Sequence, residues 1–248
     1  TFAEGSQLTS IGSYAFNGCS SLTSIEIPAG VTSIGGSAFS GYYLTIVYNY
    51  SDLEITAGSS DFGYVAYYAE VVLTEDNLAN VKDENGYVTY TDGEEVLLLG
   101  YLGSEKDIVI PEGVTRIAKY AFYGDDIVSV TLPESLTAIG NSAFSGCHNL
   151  KEVYNNSALD ITVGSTYHGQ VAYYAAKVYT PEDQDSAFDE NGFAIDLNGI
   201  LRGYNGSAID IVIPETVTSI ADYAFYGNTD IISVSIPTGV TSIGSYAF

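Results

Sequence analysis

The chain has 248 residues, enough for one or two domains with a sizeable core. Lys+Arg number 7 against 31 Asp+Glu, a formal net charge of −24, which excludes a nucleic-acid binder and a protein that docks on anionic lipid. Hydrophobic residues at 46% and aromatics at 13% exclude an acidic disordered tail, and no apolar run approaches the length of a membrane span.

No Met occurs anywhere and no secretory leader opens the chain, so it is expected to be a piece of a larger protein. The first element is a box, Ile11-Gly12-Ser13-Tyr14-Ala15-Phe16, of the form Ile-Gly/Ala-x-x-Ala-Phe. A strand pattern follows, Leu22-x-x-Ile25-x-Ile27, then the step Ile27-Pro28 and the stretch Val31-Thr32-Ser33-Ile34, which opens a second box ending at Phe39. The same sequence of parts returns with boxes at Ile117 to Phe122, Ile139 to Phe144, Ile220 to Phe225 and Ile243 to Phe248, spaced 22 or 23 residues apart within each pair. Aliphatic-Pro steps recur at Ile110-Pro111, Leu132-Pro133, Ile213-Pro214 and Ile236-Pro237. A strand pattern LxxLxL at this period is the signature of leucine-rich repeats. One such coil exposes two open faces and cannot bury its apolar side chains alone, so stacking is required for it to fold.

Between the box pairs lie spacers that also repeat. Tyr48 to Thr56 matches Tyr154 to Thr162, Val65-Ala66-Tyr67-Tyr68-Ala69 matches Val171-Ala172-Tyr173-Tyr174-Ala175, and Asp83-Glu84-Asn85-Gly86 matches Asp189-Glu190-Asn191-Gly192, all at an offset of 106. The offset falls to 103 by Ile108-Val109-Ile110-Pro111 and Ile211-Val212-Ile213-Pro214. In the first spacer, Ser60 or Asp61 is expected to cap a short helix carrying the Tyr and Ala residues. Its second half reads as a hairpin, Tyr87 to Tyr90 and Glu95 to Leu99 around Asp92-Gly93, covering the open edge of the coils. Glu75-Asp76 and Pro181-Glu182-Asp183-Gln184-Asp185 read as exposed links.

The fold expected is a β-rich leucine-rich-repeat solenoid of short parallel strands and short helical turns, in two-coil blocks separated by mixed α/β spacers. The blocks are residues 1–50, 108–156 and 211–248; the spacers are 51–107, with a short helix and β-hairpin cap, and 157–210, with a short helix and cap.

The unit from Leu22 to Phe39 resembles the BspA-type leucine-rich repeat, and the Tyr-Asn-x-Ser and Val-Ala-Tyr-Tyr-Ala runs resemble segments that accompany it in large secreted bacterial proteins. Ala118 and Ala221 depart from the pattern, standing where other boxes have Gly. The resemblance implies a cell-surface or secreted location and adhesion to host matrix proteins, glycoproteins or neighbouring cells.

Chemistry is sparse. The box positions of Cys19 and Cys147 point to buried small hydrophobes rather than reactive thiols. His148 and His168 have no repeating partner, and no nucleophile, zinc or nucleotide motif is present, so no catalytic residue and no enzyme activity are expected. No cofactor is expected; calcium at the Asp83 to Gly86 and Asp189 to Gly192 turns is the alternative to plain polar turns. Sequons at Asn49, Asn155 and Asn205 matter only in a host that glycosylates.

The candidate ligand surface is the outer face of the LxxLxL strands. Its x positions are Thr23, Ser24, Glu26, Thr45, Ile46, Tyr48, Val128, Ser129, Thr131, Lys151, Glu152, Tyr154, Ile232, Ser233 and Ser235. The densest aromatic cluster in sequence is Tyr42, Tyr43, Tyr48 and Tyr50, read either as a recognition patch or as cover for the core edge. The function expected is a non-catalytic extracellular interaction or adhesion module; the alternatives are a structural spacer projecting another domain, or a carbohydrate-binding accessory module.

Overall fold

The computed structural model describes residues 2, 5–19, 22–41, 43–77, 85–181, 188–196 and 198–248. In chain order the strands are β1 (Ser10–Ile11), β2 (Ser24–Ile27), β3 (Ser33–Ile34), β4 (Ile46–Asn49), β5 (Val72–Leu73), β6 (Tyr87–Asp92) and β7 (Glu95–Tyr101). Next come β8 (Asp107–Val109), β9 (Arg116–Ile117), β10 (Ser129–Leu132), β11 (Ala138–Ile139), β12 (Glu152–Asn155) and β13 (Lys177–Tyr179). The rest are β14 (Phe193–Ile195), β15 (Ile200–Tyr204), β16 (Asp210–Val212), β17 (Ser219–Ile220), β18 (Ser233–Ser235) and β19 (Ser242–Ile243).

The chain folds into two compact units. Unit one takes Thr1–Ser104, Val114–Tyr123 and Ala138–Ala143; unit two takes Glu105–Gly113, Gly124–Thr137 and Phe144–Phe248. The units follow packing and the blocks follow the sequence repeat, so they are separate descriptions of the chain.

In unit one, the LxxLxL strands form a parallel ladder β2-β4-β5, with Ile25 beside Val47 and Val47 beside Val72. The Val-Thr-x-Ile stretches form short parallel pairs: β1 with β3, and β7-β9-β11. The hairpin forms as expected, with Asp92 opposite Glu95 and Gly93 in the left-handed region at φ 60. Its strand β7 joins the parallel ladder and β6 closes that sheet on one side. Unit two repeats the scheme: β8-β10-β12-β13 and β16-β18 are parallel, and an antiparallel β14-β15 hairpin leads the parallel set β15-β17-β19.

The third side of each coil is the box turn. Its Phe N–H donates to the next coil: Phe16 to Ala38 O at 3.0 Å and Phe122 to Ala143 O at 2.8 Å in unit one, Phe225 to Ala247 O at 2.7 Å in unit two. The rings follow the same stacking, Phe16 on Phe39 at 4.7 Å and Phe225 on Phe248 at 4.8 Å. Phe39, Phe122, Phe144 and Phe225 are among the largest fully buried side chains.

The expected spacer helices are corrected. Asp61–Tyr64 makes one helical turn, but Phe62, Gly63 and Tyr64 all have positive φ (49, 66 and 69), and Ser60 makes no capping side-chain bond. His168–Gln170 makes a 3-10 turn of the same left-handed kind, with φ 47, 64 and 66. The cause is stacking. Phe39 N–H donates to Gly63 O and Phe144 N–H to Gly169 O, both at 2.8 Å, so each spacer supplies one more coil. A Cβ on Gly63 would run into the Gly35 carbonyl oxygen. Glycine, with no Cβ to clash, takes the left-handed conformation that this close approach requires.

Asn49 and Asn155 close the turns after β4 and β12. Each Nδ2 donates to a carbonyl four residues on (Leu53, Leu159) at 2.8 Å, and each Oδ1 accepts from the following Ser. Both are buried, so these two sequons are structural.

Candidate functional site

Period-two alternation decides which strand residues face outward. In β8-β10-β12-β13 the row Ile108, Val130, Val153, Val178 points inward. Two rows take the outer parity: Asp107, Ser129, Glu152, Lys177, and beside it Val109, Thr131, Tyr154, Tyr179, of which Tyr179 is itself buried. Ser129 Oγ bonds Asp107 at 2.6 Å, and Tyr179 OH donates to Glu152 Oε1 at 2.7 Å. Tyr154 stacks on Tyr179 at 4.6 Å, and Lys177 Nζ lies 4.6 Å from the Tyr179 ring centroid. Val109 is 62% exposed and Tyr154 36%. Burial, with Glu152 beside it, pushes the Tyr154 hydroxyl up from its ordinary pKa. Ser233 and Ser235 of β18 and Ile232 are also exposed, while Ser24, Glu26, Ser129, Thr131 and Glu152 are half-buried, as is Thr23.

Four expected outward residues are instead buried: Thr45, Ile46, Tyr48 and Lys151. Thr45 and Lys151 precede their strands and share the parity of the inward Val47 and Val153. Ile46 and Tyr48 do stand on the outer parity of β4, but in unit one that face is covered, with Ile46 Cδ1 2.9 Å from where a Cβ on Gly100 of β7 would lie. Burial pushes the Tyr48 hydroxyl up to about 12.

The aromatic residues that gather are not those expected. Tyr42 lies outside the described residues. Tyr43 leaves Tyr48 and packs on Tyr68, Tyr120 and Tyr123 at 4.7, 4.6 and 3.9 Å. Unit two builds the same cluster with His148 in the place of Tyr43: its ring lies 4.8, 4.1 and 5.2 Å from Tyr174, Tyr223 and Tyr226. Burial, then the Lys151 charge, lowers the His148 pKa. The repeated Tyr-Ala-Phe-Tyr-Gly runs at Tyr120 and Tyr223 are the sequence signal for these clusters.

Three described cations are matched by carboxylates. Arg116 is held by Glu70 and Glu95 in unit one; Lys106 pairs with Asp126 and Arg202 with Asp196 in unit two. Lys151 differs. Its Nζ donates to the Tyr223 carbonyl oxygen at 2.9 Å, and burial pushes its pKa down to about 8. It lines a cavity of about 300 Å³ together with Asn149, Glu152, Tyr204, Asn205 and Tyr226.

Cys147 is buried against Gly124 and Asp125, and burial pushes its thiol up. Cys19 is exposed, contrary to expectation. At the second acidic turn, Asp189 Oδ1 accepts the N–H groups of Asn191 and Phe193, both at 2.9 Å, with Gly192 at φ 85. Asp83 and Glu84 of the first turn lie outside the described residues, as does the link Glu182 to Asp185. Among the described residues no group of three or more His, Cys, Asp and Glu is placed to hold a metal ion.

Stacked coils with parallel LxxLxL ladders and a repeated box turn define a leucine-rich-repeat solenoid. The chain belongs to the BspA type leucine rich repeat family, whose pattern matches it in 6 copies over residues 2–84, 101–171 and 204–248. The matched pattern is that of a repeat scaffold. Among solved structures, the chain is similar to a leucine rich cell surface protein from Faecalibacterium prausnitzii A2-165, with 22% identity and a TM-score of 0.29 over 96% of this chain and 51% of that one. It is also similar to a leucine-rich repeat protein from Eubacterium ventriosum ATCC 27560 (20% identity, TM-score 0.33, 97% and 79% covered). A third is the pneumococcal vaccine antigen PcpA (17% identity, TM-score 0.33, 100% and 53% covered). The chain spans about half the length of the first and third of these. No curated protein matches it.

Proposed function

We propose that the chain is a non-catalytic, extracellular interaction and adhesion module of a larger bacterial surface protein, binding a host matrix protein, a glycoprotein or a neighbouring cell. The observation that carries this reading is the outer face of β8-β10-β12-β13, where Tyr154, Val109 and Lys177 stand beside Asp107 and Glu152 on a stiff parallel sheet. An exposed tyrosine fixed by stacking loses little entropy on binding, which suits it to anchor a contact. Among the described residues, no helix is long and apolar enough to cross a membrane.

The test is binding of the chain to a panel of matrix glycoproteins, with and without calcium. Tyr154→Ala is expected to weaken a saturable interaction by about tenfold or more, while Tyr50→Ala, outside this face, leaves it unchanged. A hit indifferent to Tyr154 sinks the assignment of the face. The spacer reading draws on unit one, where the corresponding face is covered at Ile46 and Tyr48. It predicts silence across the panel from a folded chain.

A further inference from the structure

The two long repeats differ in kind at Lys151. Its counterpart, 106 positions earlier, is Thr45. Both are buried, at 9% and 3% exposed, and both backbones are held alike, Lys151 N–H by Val128 O at 2.9 Å and Thr45 N–H by Thr23 O at 3.2 Å. A threonine fills this place without charge; unit two puts an ammonium there. A buried charge is costly unless it is paired. The chain has 31 acidic residues, yet among the described residues none pairs with Lys151. One of its three N–H donors goes to the Tyr223 carbonyl, which leaves two.

The ammonium lines the 300 Å³ cavity, a volume at the lower end for a small-ligand site. Two chemistries meet there. Lys151 calls for an anion. Glu152 opposes a bare anion, but its carboxylate, oriented by the Tyr179 hydroxyl at 2.7 Å, still accepts hydrogen bonds from hydroxyl groups. Asn205 adds an amide group, Asn149, whose Nδ2 is held by Asp126, adds its amide oxygen, and the exposed Tyr226 ring beside the edge of the buried Tyr204 adds apolar surface for C–H packing. A ligand that satisfies all of these carries one carboxylate, several hydroxyls and an apolar ring face.

We propose that this cavity binds a uronic-acid residue of an acidic glycan, its carboxylate on Lys151 and its hydroxyls on Glu152 and the asparagines. This rests on the reading of the chain as an interaction module and names a ligand class for it. Acidic sugar ends on a glycoprotein or a neighbouring cell coat supply such groups.

The test titrates glucuronic acid, glucose and acetate into the full chain, followed by saturation-transfer NMR and calorimetry. Glucuronic acid is expected to bind at least tenfold more tightly than glucose or acetate, and to weaken as pH rises past 8, where Lys151 loses its proton. Lys151→Thr recreates the residue the other repeat carries at this position, so it is expected to keep the fold by circular dichroism and lose glucuronic acid binding tenfold or more. Tyr50→Ala, outside the cavity and outside the strand face, is expected to keep it. Equal binding of glucose overturns the role of Lys151, and equal binding of acetate, or tighter binding of a Glu-rich peptide, overturns the sugar. Retention of glucuronic acid binding in Lys151→Thr, or its absence in the parent chain, overturns the site. Panel binding lost on Tyr154→Ala, in a chain that ignores glucuronic acid, defeats the cavity and leaves the interaction module standing.

Discussion

The fourth residue of every box lies in the left-handed region: Tyr14, Ser37, Tyr120, Ser142, Tyr223 and Tyr246 have φ of 58, 56, 60, 57, 58 and 52. An L-residue there costs about 1–2 kcal/mol. Tyr120 and Tyr223 offset it through ring contacts, such as Tyr120 with Tyr43 at 4.6 Å and Tyr223 with His148 at 4.1 Å. Each such pair contributes about 0.5–1.5 kcal/mol. The serines have no ring contact to offset it. Ser142→Asn is therefore expected to be neutral, because Asn tolerates this conformation, and Ser142→Val to lose about 2 kcal/mol because its branched Cβ does not. Urea midpoints of the two variants check this; equal midpoints sink it. The turn was not legible in the sequence, since Tyr and Ser carry no left-handed signal of the kind Gly carries.

Within an element pair, the second box presses its backbone against the first. A Cβ on Gly35 would strike Ser13 N, one on Gly140 would strike Lys119 N, and one on Gly244 would strike Asp222 N. Gly12 has nothing within 4 Å of such a Cβ, which is why the first boxes of the later pairs carry Ala118 and Ala221 at the same position. Gly140→Ala is expected to cost about 1–3 kcal/mol by overpacking, and Gly12→Ala to change stability by less than about 0.5 kcal/mol. Calorimetric Tm values of the two variants decide it. At this scale the sequence was most readable: box, proline step and strand recur with their aliphatic residues in register, and the β2, β4, β10 and β12 ladders follow from them. The coil inside each spacer was not, because Phe62-Gly63-Tyr64 matches no box. The Tyr and Ala residues after it mimic a helix face, whereas the open Phe39 N–H and the approach to Gly35 select the left-handed turn. The candidate surface was legible where alternation was strict, as at Ser129, Thr131, Glu152 and Tyr154. It was misread one residue earlier, where Thr45 and Lys151 turn inward.

Across the whole molecule, net charge describes solubility and partners, whereas shifted groups in unit two, Asp125, Lys151 and His148 among them, shape the pH dependence of folding. Burial raises Asp125 from 3.8 to about 6. The folded state then holds more protons than the unfolded chain between those values, so stability falls as pH rises from 3.8 to 6. Burial lowers Lys151 from 10.5 to about 8, so the unfolded chain holds more protons between pH 8 and 10.5 and stability rises across that range. His148 is lowered from 6.5, which makes stability fall as pH drops below 6.5 and opposes the Asp125 effect there. Between pH 6 and 8 both the half-buried Asp125 and the buried Lys151 are charged in the fold. Lys151→Thr is therefore expected to raise stability at pH 7 by about 1–3 kcal/mol, with the gap to the parent closing between pH 8 and 10.5. Asp125→Asn is expected to be more stable than the parent at pH 7, the gap closing as pH falls from 6 to 3.8. Its own stability should fall below pH 6.5, where the His148 effect then acts unopposed. Urea midpoints measured from pH 4 to 10.5 test both variants. Tyr48, Tyr123 and Tyr174, pushed up to about 12, lower parent and variant alike above pH 10, so the difference between the two is the quantity to read. A Lys151→Thr gap that stays constant from pH 7 to 10.5 would mean that Lys151 carries no buried charge.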